Sequence, residues 1–364
     1  MPDTIENLLS IAQEQSASDL HLNVGRTPIL RVDGKLMKIH DHPEINDETI
    51  REILRTVTTE QQMNRFLKQQ ELDFSYDNPL IGRFRVNACV QKGNISLAFR
   101  LLMRVLSPLS SLGLPDVYTE LSLRPRGLIL VTGPTGSGKS TTMAAMINHI
   151  NNTQERHIIT IEDPIEYVHA DNKSVIIQRS VGEDTDSFAT ALKHSLRHDP
   201  DVIVVGEMRD LVTISTAVSA AETGHLVFGT LHTIDASETI DRVIEVFPGG
   251  QQEQIRLQLS QVLVAVLSQT LVPRIGGGRV PACEIMICNS AIKNLMREGQ
   301  VHQLNSVLQL GQKEGMQTLN QSLANLVKQN VISLEDAMER TSNLKQLQDT
   351  LRYNGPIIDK VTVI

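Results

Sequence analysis

Residues 127–151 read GLILVTGPTGSGKSTTMAAMINHIN, and the fold follows from this stretch. The apolar run from Leu128 to Val131 leads into GPTGSGKS at 133–140, which matches G-x-x-x-x-G-K-[ST], and a helical pattern starts near Ser140. Gly133, Gly136 and Gly138 let the backbone curl until successive N–H groups point inward, and the start of the helix adds its partial positive charge. Lys139 is placed to reach the terminal phosphates of ATP, and Ser140 to bind magnesium. Pro134, Thr135, Ser137 and Thr141 complete the candidate nucleotide-binding segment.

Outward from this loop, short apolar runs alternate with helical spacing. HIITIED (157–163), SVIIQ (174–178), DVIVVGE (201–207) and HLVFGTLHT (225–233) read as strands, while SFATALKHSLRH (187–198) and LVTISTAVSAAET (211–223) read as helices. Such alternation predicts an α/β fold with a largely parallel sheet covered by helices on both faces. After residue 235 helical spacing dominates to about 350. There VLVAVL at 262–267 reads as a buried helix, and Ser333 with Asp336 as a capping box.

In open parallel sheets ligands bind beyond the carboxyl ends of the strands, which separates the two acids of DVIVVGE. Asp201 opens its strand at the far edge as a turn or cap residue. Glu207 emerges on the phosphate side and is the candidate to orient or deprotonate an attacking water. The alternative is a surface carboxylate paired with Arg209. The usual Walker-B aspartate slot holds Gly206, so magnesium is expected on Ser140, phosphate oxygens and waters, with Glu207 acting through one water. Glu162 and Asp163 reach the same edge before Pro164, as does His232, and together these groups suit a polar ring around the γ-phosphate. His225, at the start of its strand, reads as structural.

Composition sets the outer limits. A chain of 364 residues predicts two or three domains. With 40% hydrophobic and 21% charged residues it is an ordinary globular composition, and no apolar run approaches the roughly 18 residues of a membrane span. The three cysteines are scattered, and the first residues lack the basic flank and long apolar stretch of a secretory signal; a soluble protein in a reducing cytoplasm is the expectation. A net charge of −8, no Trp and 3% aromatic residues argue against a nucleic-acid partner.

Residues 1–110 form the first predicted domain, of mixed α and β character. SASDLHLNVGRTPILRVDGKLMKI gives two short strand patterns with turn signals at Gly25 and Asp33-Gly34, DETIREILRTVTTEQQMNRFLKQ has helical spacing, and GRFRVNACVQKGNISLAFRLL reads as a hairpin. Alternation in GRFRVN places Arg83 and Arg85 on one strand face, suited to a shared anion or to solvent. SPLSSLGLP at 107–115 carries linker signals; the linker is set at 111–123, and the second domain runs over 124–364 with a helical C-terminal part.

The ordered set GPTGSGKST, TIEDPIEY, DVIVVGEMRD and GHLVFGTLHT, with SDLHL at 18–22, resembles the secretion ATPases of type II secretion and type IV pili over nearly the whole chain. GTLHTIDASETIDRVIEVFP followed by QIRLQLSQVLVAVLSQTLVPR is similar to the pilus-retraction branch, and AIKNLMREG at 291–299 resembles that branch's motif AIRNLIRE, with Lys293 in place of arginine and Met296 in place of isoleucine. Lysine lacks the planar two-pronged bond of arginine. Extension ATPases carry a long extra N-terminal region and a four-cysteine zinc element, which this sequence does not show.

The resemblance implies a PAS-like N-terminal domain, a RecA-like ATPase domain and a homo-hexamer using ATP and magnesium; hinged domain closure on ATP is a separate expectation, with 107–115 as the hinge. It implies an inner-membrane pilus platform protein and other pilus ATPases as partners, at the inner face of the cytoplasmic membrane. Under it Glu162 belongs to an acidic box, Glu207 is the catalytic glutamate, His232 lies in a histidine box, and Arg83, Arg85 and Arg100 match a region that supplies basic groups to the nucleotide. Competing expectations are an accessory pilus ATPase, a type II or type IV secretion ATPase, and a DNA-dependent RecA-like motor.

Overall fold

The computed structural model describes residues 5–32, 34–39, 42–102 and 107–353. Asp33, of the Asp33-Gly34 turn signal, lies outside them. The described chain divides into two compact units, the first containing the residues up to 102 together with Glu166–Val168, the second the remainder.

In the first unit α1 (Ile5–Glu14), α2 (Asp47–Val57) and α3 (Glu60–Gln69) accompany strands β1 (Asp19–Asn23), β2 (Ile29–Val32), β3 (Lys35–Lys38), β4 (Glu71–Asn78), β5 (Gly82–Gln91) and β6 (Asn94–Leu102). The strands form an antiparallel sheet in the order β3-β2-β1-β6-β5-β4. Alternation decides which face is covered: Phe84, Val86 and Ala88 of β5 are buried with Leu8, Ile50 and Phe66 of the helices, while Arg83 and Arg85 point the other way. The single helical pattern of residues 47–69 is broken into two because Thr59 caps α3 through a capping box with Gln62.

The second unit opens with α4 (Val117–Ser122) and β7 (Gly127–Thr132), then α5 (Lys139–Thr153), β8 (His157–Glu162), β9 (Val175–Ser180), α6 (Phe188–Ser195), β10 (Val202–Val205), α7 (Leu211–Glu222), β11 (Leu226–Leu231), α8 (Ala236–Glu245) and α9 (Gln252–Val262). A hairpin follows, β12 (Leu263–Pro273) and β13 (Arg279–Ile287), and then α10 (Ser290–Arg297), α11 (Leu304–Leu310), α12 (Leu319–Lys328), α13 (Leu334–Arg340) and α14 (Leu344–Tyr353). The sheet order is β13-β12-β7-β11-β10-β8-β9, parallel throughout except between β12 and β13. Both faces are covered, as the alternating pattern predicts. Leu128 and Leu130 of β7 enter one core with α7, α8 and α9, and Ile129 and Val131 enter the other with Tyr118 and α5. Each such side chain, fully buried, contributes about 1.5–3 kcal/mol. Ser333 caps α13, accepting from the Asp336 amide at 3.0 Å. Among the described residues no helix is long and apolar enough to cross a membrane.

Two expectations change here. VLVAVL does not continue a helix: α9 ends at Val262, and Leu263–Leu267 becomes the strand directly beside β7. A short continuous apolar run fits a buried strand and a buried helix equally well, and here the neighbouring strand decides. Residues 109–122, assigned by sequence to the end of the first domain and the linker, pack into the second unit, where Leu109, Tyr118 and Leu121 are buried in its core.

The β7–β12 contact leaves no room for a side chain at Gly127. A Cβ there would lie 2.4 Å from Val264 Cγ2, and φ is +118°. Gly127→Ala is therefore expected to destabilise the second unit by about 2–4 kcal/mol through overpacking and backbone strain. A urea midpoint equal to that of the parent would contradict this.

Candidate functional site

The carboxyl ends of β7, β8, β10 and β11 deliver the phosphate loop, Glu162, Gly206-Glu207 and His232 to one edge of the sheet. The loop is held from beneath. A Cβ at Gly133, where φ is +140°, would come within 2.2 Å of the Gln269 carbonyl oxygen and 2.6 Å of Ser137 Oγ, so only glycine fits. Gly138, also at positive φ, caps α5, and the Thr142 amide donates to its carbonyl. Gln269 on β12 then ties the loop to the helix: its Nε2 donates to the Ser137 carbonyl at 2.8 Å, and its Oε1 accepts from Thr142 Oγ1 at 3.0 Å. Pro134, Thr135 and Gly136 are exposed at the rim, Ser140 is exposed in the first turn of α5, and Thr141 is half-buried.

Lys139 Nζ donates to the carbonyls of Gly133 at 2.6 Å and Pro134 at 3.1 Å and stands 3.5 Å from His232 Nδ1. The other ring nitrogen, Nε2, is 3.1 Å from Glu207 Oε1. Glu207 in turn accepts from Arg209 Nε. These contacts form a chain from ammonium through imidazole and carboxylate to guanidinium. A neutral imidazole protonated on Nε2 satisfies both of its neighbours. The Glu207 carboxylate raises the Arg209 pKa. Glu207 thus pairs with Arg209 and also reaches the phosphate loop through His232.

Glu162 is anchored differently, its Oε1 accepting from Thr160 Oγ1 at 2.6 Å and from Gln178 Nε2 at 3.2 Å. Asp201 lies at the opposite end of β10 and accepts from the His157 amide at 2.8 Å, the structural role read for it. His225 likewise faces the Ala220 carbonyl at 2.9 Å at the start of β11. Gly206 is enclosed: a Cβ would meet the Ile161 carbonyl at 3.0 Å and Glu162 Cα at 3.2 Å, and Thr230 Oγ1 donates to its carbonyl. An aspartate in that slot would push on β8, so the acid appears one residue later.

In the first unit Arg85 and Arg100 are cross-strand partners on β5 and β6. Arg100 Nε donates to Asp19 at 2.8 Å, Arg85 lies 3.9 Å from Asp73, and Arg83 lies 3.9 Å from Asp77. Burial pushes the Asp19 carboxyl up, but hydrogen bonds from Ser18 and Arg100 outweigh it and the pKa falls below its ordinary value.

Sequence reasoning does not single out Ser268, Gln269 and Glu284, because the spacing predicts helix where the structure has the β12–β13 hairpin. Ser-Gln within an apolar run is the signal that was available.

The family model described as "Type II/IV secretion system protein" matches residues 1–356. The chain is 49% identical over 336 residues to the "Type IV pilus retractation ATPase PilT" of Pseudomonas aeruginosa, covering 92% of this chain and 97% of that protein. It is also 49% identical over 322 residues to a "Twitching motility protein" of Neisseria gonorrhoeae, covering 88% and 86% of the two chains. Among solved structures it is similar to the pilus retraction motor PilT with bound ADP, at a TM-score of 0.91 and 50% identity, covering 95% of this chain and 99% of that one. The family expected from the sequence motifs is the one these comparisons return.

Replacing Gln269 by leucine leaves the Ser137 carbonyl and the Thr142 hydroxyl unpaired. The expected cost is about 2–4 kcal/mol from two lost buried hydrogen bonds, read as a lower urea midpoint; no change would remove Gln269 from this role.

Proposed function

The chain belongs to the type II/IV secretion system protein family, and from that premise we propose that it is an ATPase that powers retraction of type IV pili. The observation that carries the reading is the contact chain from Lys139 through His232 to Glu207, set on a formed phosphate loop. Loop amides of residues 133–140 and the start of α5 hold the phosphates, and Lys139 turns from the loop carbonyls to the terminal phosphate. Glu207 orients the attacking water and takes its proton, while His232 holds that carboxylate in place. Glu162 supports the same edge from β8.

The donors present suit magnesium held mainly by phosphate oxygens and water. Ser140 offers one exposed hydroxyl, and no group of three or more potential metal ligands occurs among the described residues. When bound, the ion supplies local neutralisation of the triphosphate.

The proposal extends to assembly. The chain acts as a homo-hexamer in which Arg83, Arg85 and Arg100 approach the nucleotide of a neighbouring copy. An arginine supplied in that way contributes roughly 10³–10⁵ in rate. The domain plan is an N-terminal module followed by an ATPase module that already includes residues 109–122, the segment expected as a connection. Its place is the cytoplasmic face of the inner membrane, on the pilus platform protein and beside other pilus ATPases.

Glu207→Gln is expected to keep ATP affinity within about threefold while turnover falls by about 10²–10⁴, the range for a general base. Unchanged phosphate release would remove Glu207 from the catalytic role. Lys139→Ala should lose nucleotide affinity and turnover together, so retained affinity would contradict the phosphate-loop assignment. Cells lacking the gene are expected to carry extra pili and not to twitch.

A further inference from the structure

A polar row crosses the apolar sheet just behind the phosphate loop. Thr132 of β7, Ser268 of β12 and Glu284 of β13 occupy successive cross-strand positions, 0%, 2% and 8% exposed respectively. Thr132 Oγ1 donates to Ser268 Oγ at 2.8 Å. At the end of the row Glu284 Oε1 accepts from the Ala236 amide at 2.9 Å, and the Leu319 amide also donates to the carboxylate. Ala236 and Leu319 are the first residues of α8 and α12. One carboxylate thus takes free amides from two helix starts, where helices carry partial positive charge.

The start of α8 matters because His232 lies just before it. The intervening residues are bound among themselves and to α8: Thr233 Oγ1 to Thr239 Oγ1 at 2.7 Å, the Ile234 amide to Glu238 Oε2 at 2.8 Å, and the Glu238 amide to Asp235 Oδ1 at 2.8 Å. Glu284 ties this small bonded unit to the sheet. We propose that Glu284 is a positioning residue for His232, fixing the start of α8 so that the imidazole meets Lys139 and Glu207, and linking that site through α12 to the C-terminal helices. This rests on the ATPase reading above.

Burial raises the Glu284 carboxyl to about 7; the Asp235 charge adds to this, and the Ala236 and Leu319 amides oppose it. The charged groups on the packed elements around it are Asp235 just before α8, Glu238 on α8, and Glu339 and Arg340 on α13, while Ser268, Gln269 and Thr270 of β12 are neutral. Because the folded pKa lies above the ordinary carboxylate value, the protonated form stabilises the fold at acid pH, and that contribution is lost as pH rises toward 7. Above pH 7 the charged carboxylate is kept at a cost in stability, as expected of a group retained for its action.

The test uses Glu284→Gln and Ala236→Pro in the full chain. Proline suits the first helical position and deletes only the amide that Glu284 accepts. Glu284→Gln is expected to lower kcat by about 10- to 100-fold with the Kd for ATP within about threefold, the loss of hydrogen bonds to a charged group, while its Tm at pH 8 equals or exceeds that of the parent. Ala236→Pro should lower kcat similarly, and the double variant should fall no further than either single one. A kcat of Glu284→Gln within about twofold of the parent, a fall that only tracks a lower Tm, or multiplicative losses in the double variant would overturn the proposal. Should Ala236→Pro not fold, the Glu284→Gln kcat and Tm decide alone. If the parent itself releases no phosphate, the ATPase reading has failed. Amide hydrogen exchange at 232–236, expected to quicken about tenfold or more in Glu284→Gln, then decides whether Glu284 holds this segment, unchanged exchange counting against it.

Discussion

A Cβ at residue 133 would sit 2.2 Å from the backbone of β12, and the arrangement of the whole edge follows from that closeness. A phosphate loop works only if its amides already point inward, since donors fixed in advance need no reorganisation when charge arrives. Here the fixing comes from outside the loop. β12 pairs with β7 in continuous register from Ala265 to Ser268, after a shift at Leu263, which brings the Gln269 carbonyl under Gly133 and its side chain between Ser137 and Thr142. The strand behind the loop therefore shapes it as much as the glycines in the loop permit it.

Charge must be handled within the same few residues, because a chain of net charge −8 offers a triphosphate no general attraction. Lys139 and Glu207 have opposite charges and face the same space, and a direct salt bridge between them would occupy both. His232 stands between them, one ring nitrogen toward each, so neither is committed to the other. Arg209 holds Glu207 from the solvent side, but its side chain is 73% exposed, and an ion pair of that kind contributes about 0–1 kcal/mol. Arg209 by itself therefore restrains Glu207 only weakly, and His232 is its other partner. The buried Glu284 presents the opposite case, with helix amides as its partners and little water around it.

The sequence made the parallel core legible because each strand from β7 to β11 was followed by a helix or turn of a different period. The ends of those strands were legible too, since the rule that ligands gather at carboxyl ends separated Glu207 from Asp201 without any coordinates. The hairpin was not legible. VLVAVL has no alternation because β12 is buried on both faces, and it follows α9 without a break, so local periodicity cannot reveal the change of state at Leu263. Gln269 and Glu284 were lost with it. The segment 109–122 misled in another way: its proline and serine content reads as a linker, whereas Leu109, Tyr118 and Leu121 give it a buried face.

The glycine in the slot where an aspartate is usual follows from the same packing. β8 and β10 are adjacent and parallel, and the Gly206 amide donates to the Ile161 carbonyl at 2.7 Å. That bond holds residue 206 close enough to β8 that a side chain would press on Ile161 and Glu162. On the other flank Thr230 takes the Gly206 carbonyl, and the Met208 amide donates to the Thr230 carbonyl at 3.0 Å. Glu207 lies between these two anchors, so its backbone is fixed from both neighbours while its side chain, only 17% exposed, is turned to His232. The longer glutamate arm then reaches over the edge that a shorter acid at position 206 would have had to occupy from within the sheet. An acid moved one residue along the chain and one methylene outward is what this strand spacing permits, and it leaves the loop hydroxyl of Ser140 and the carboxylate of Glu207 as separate groups rather than a single clustered site.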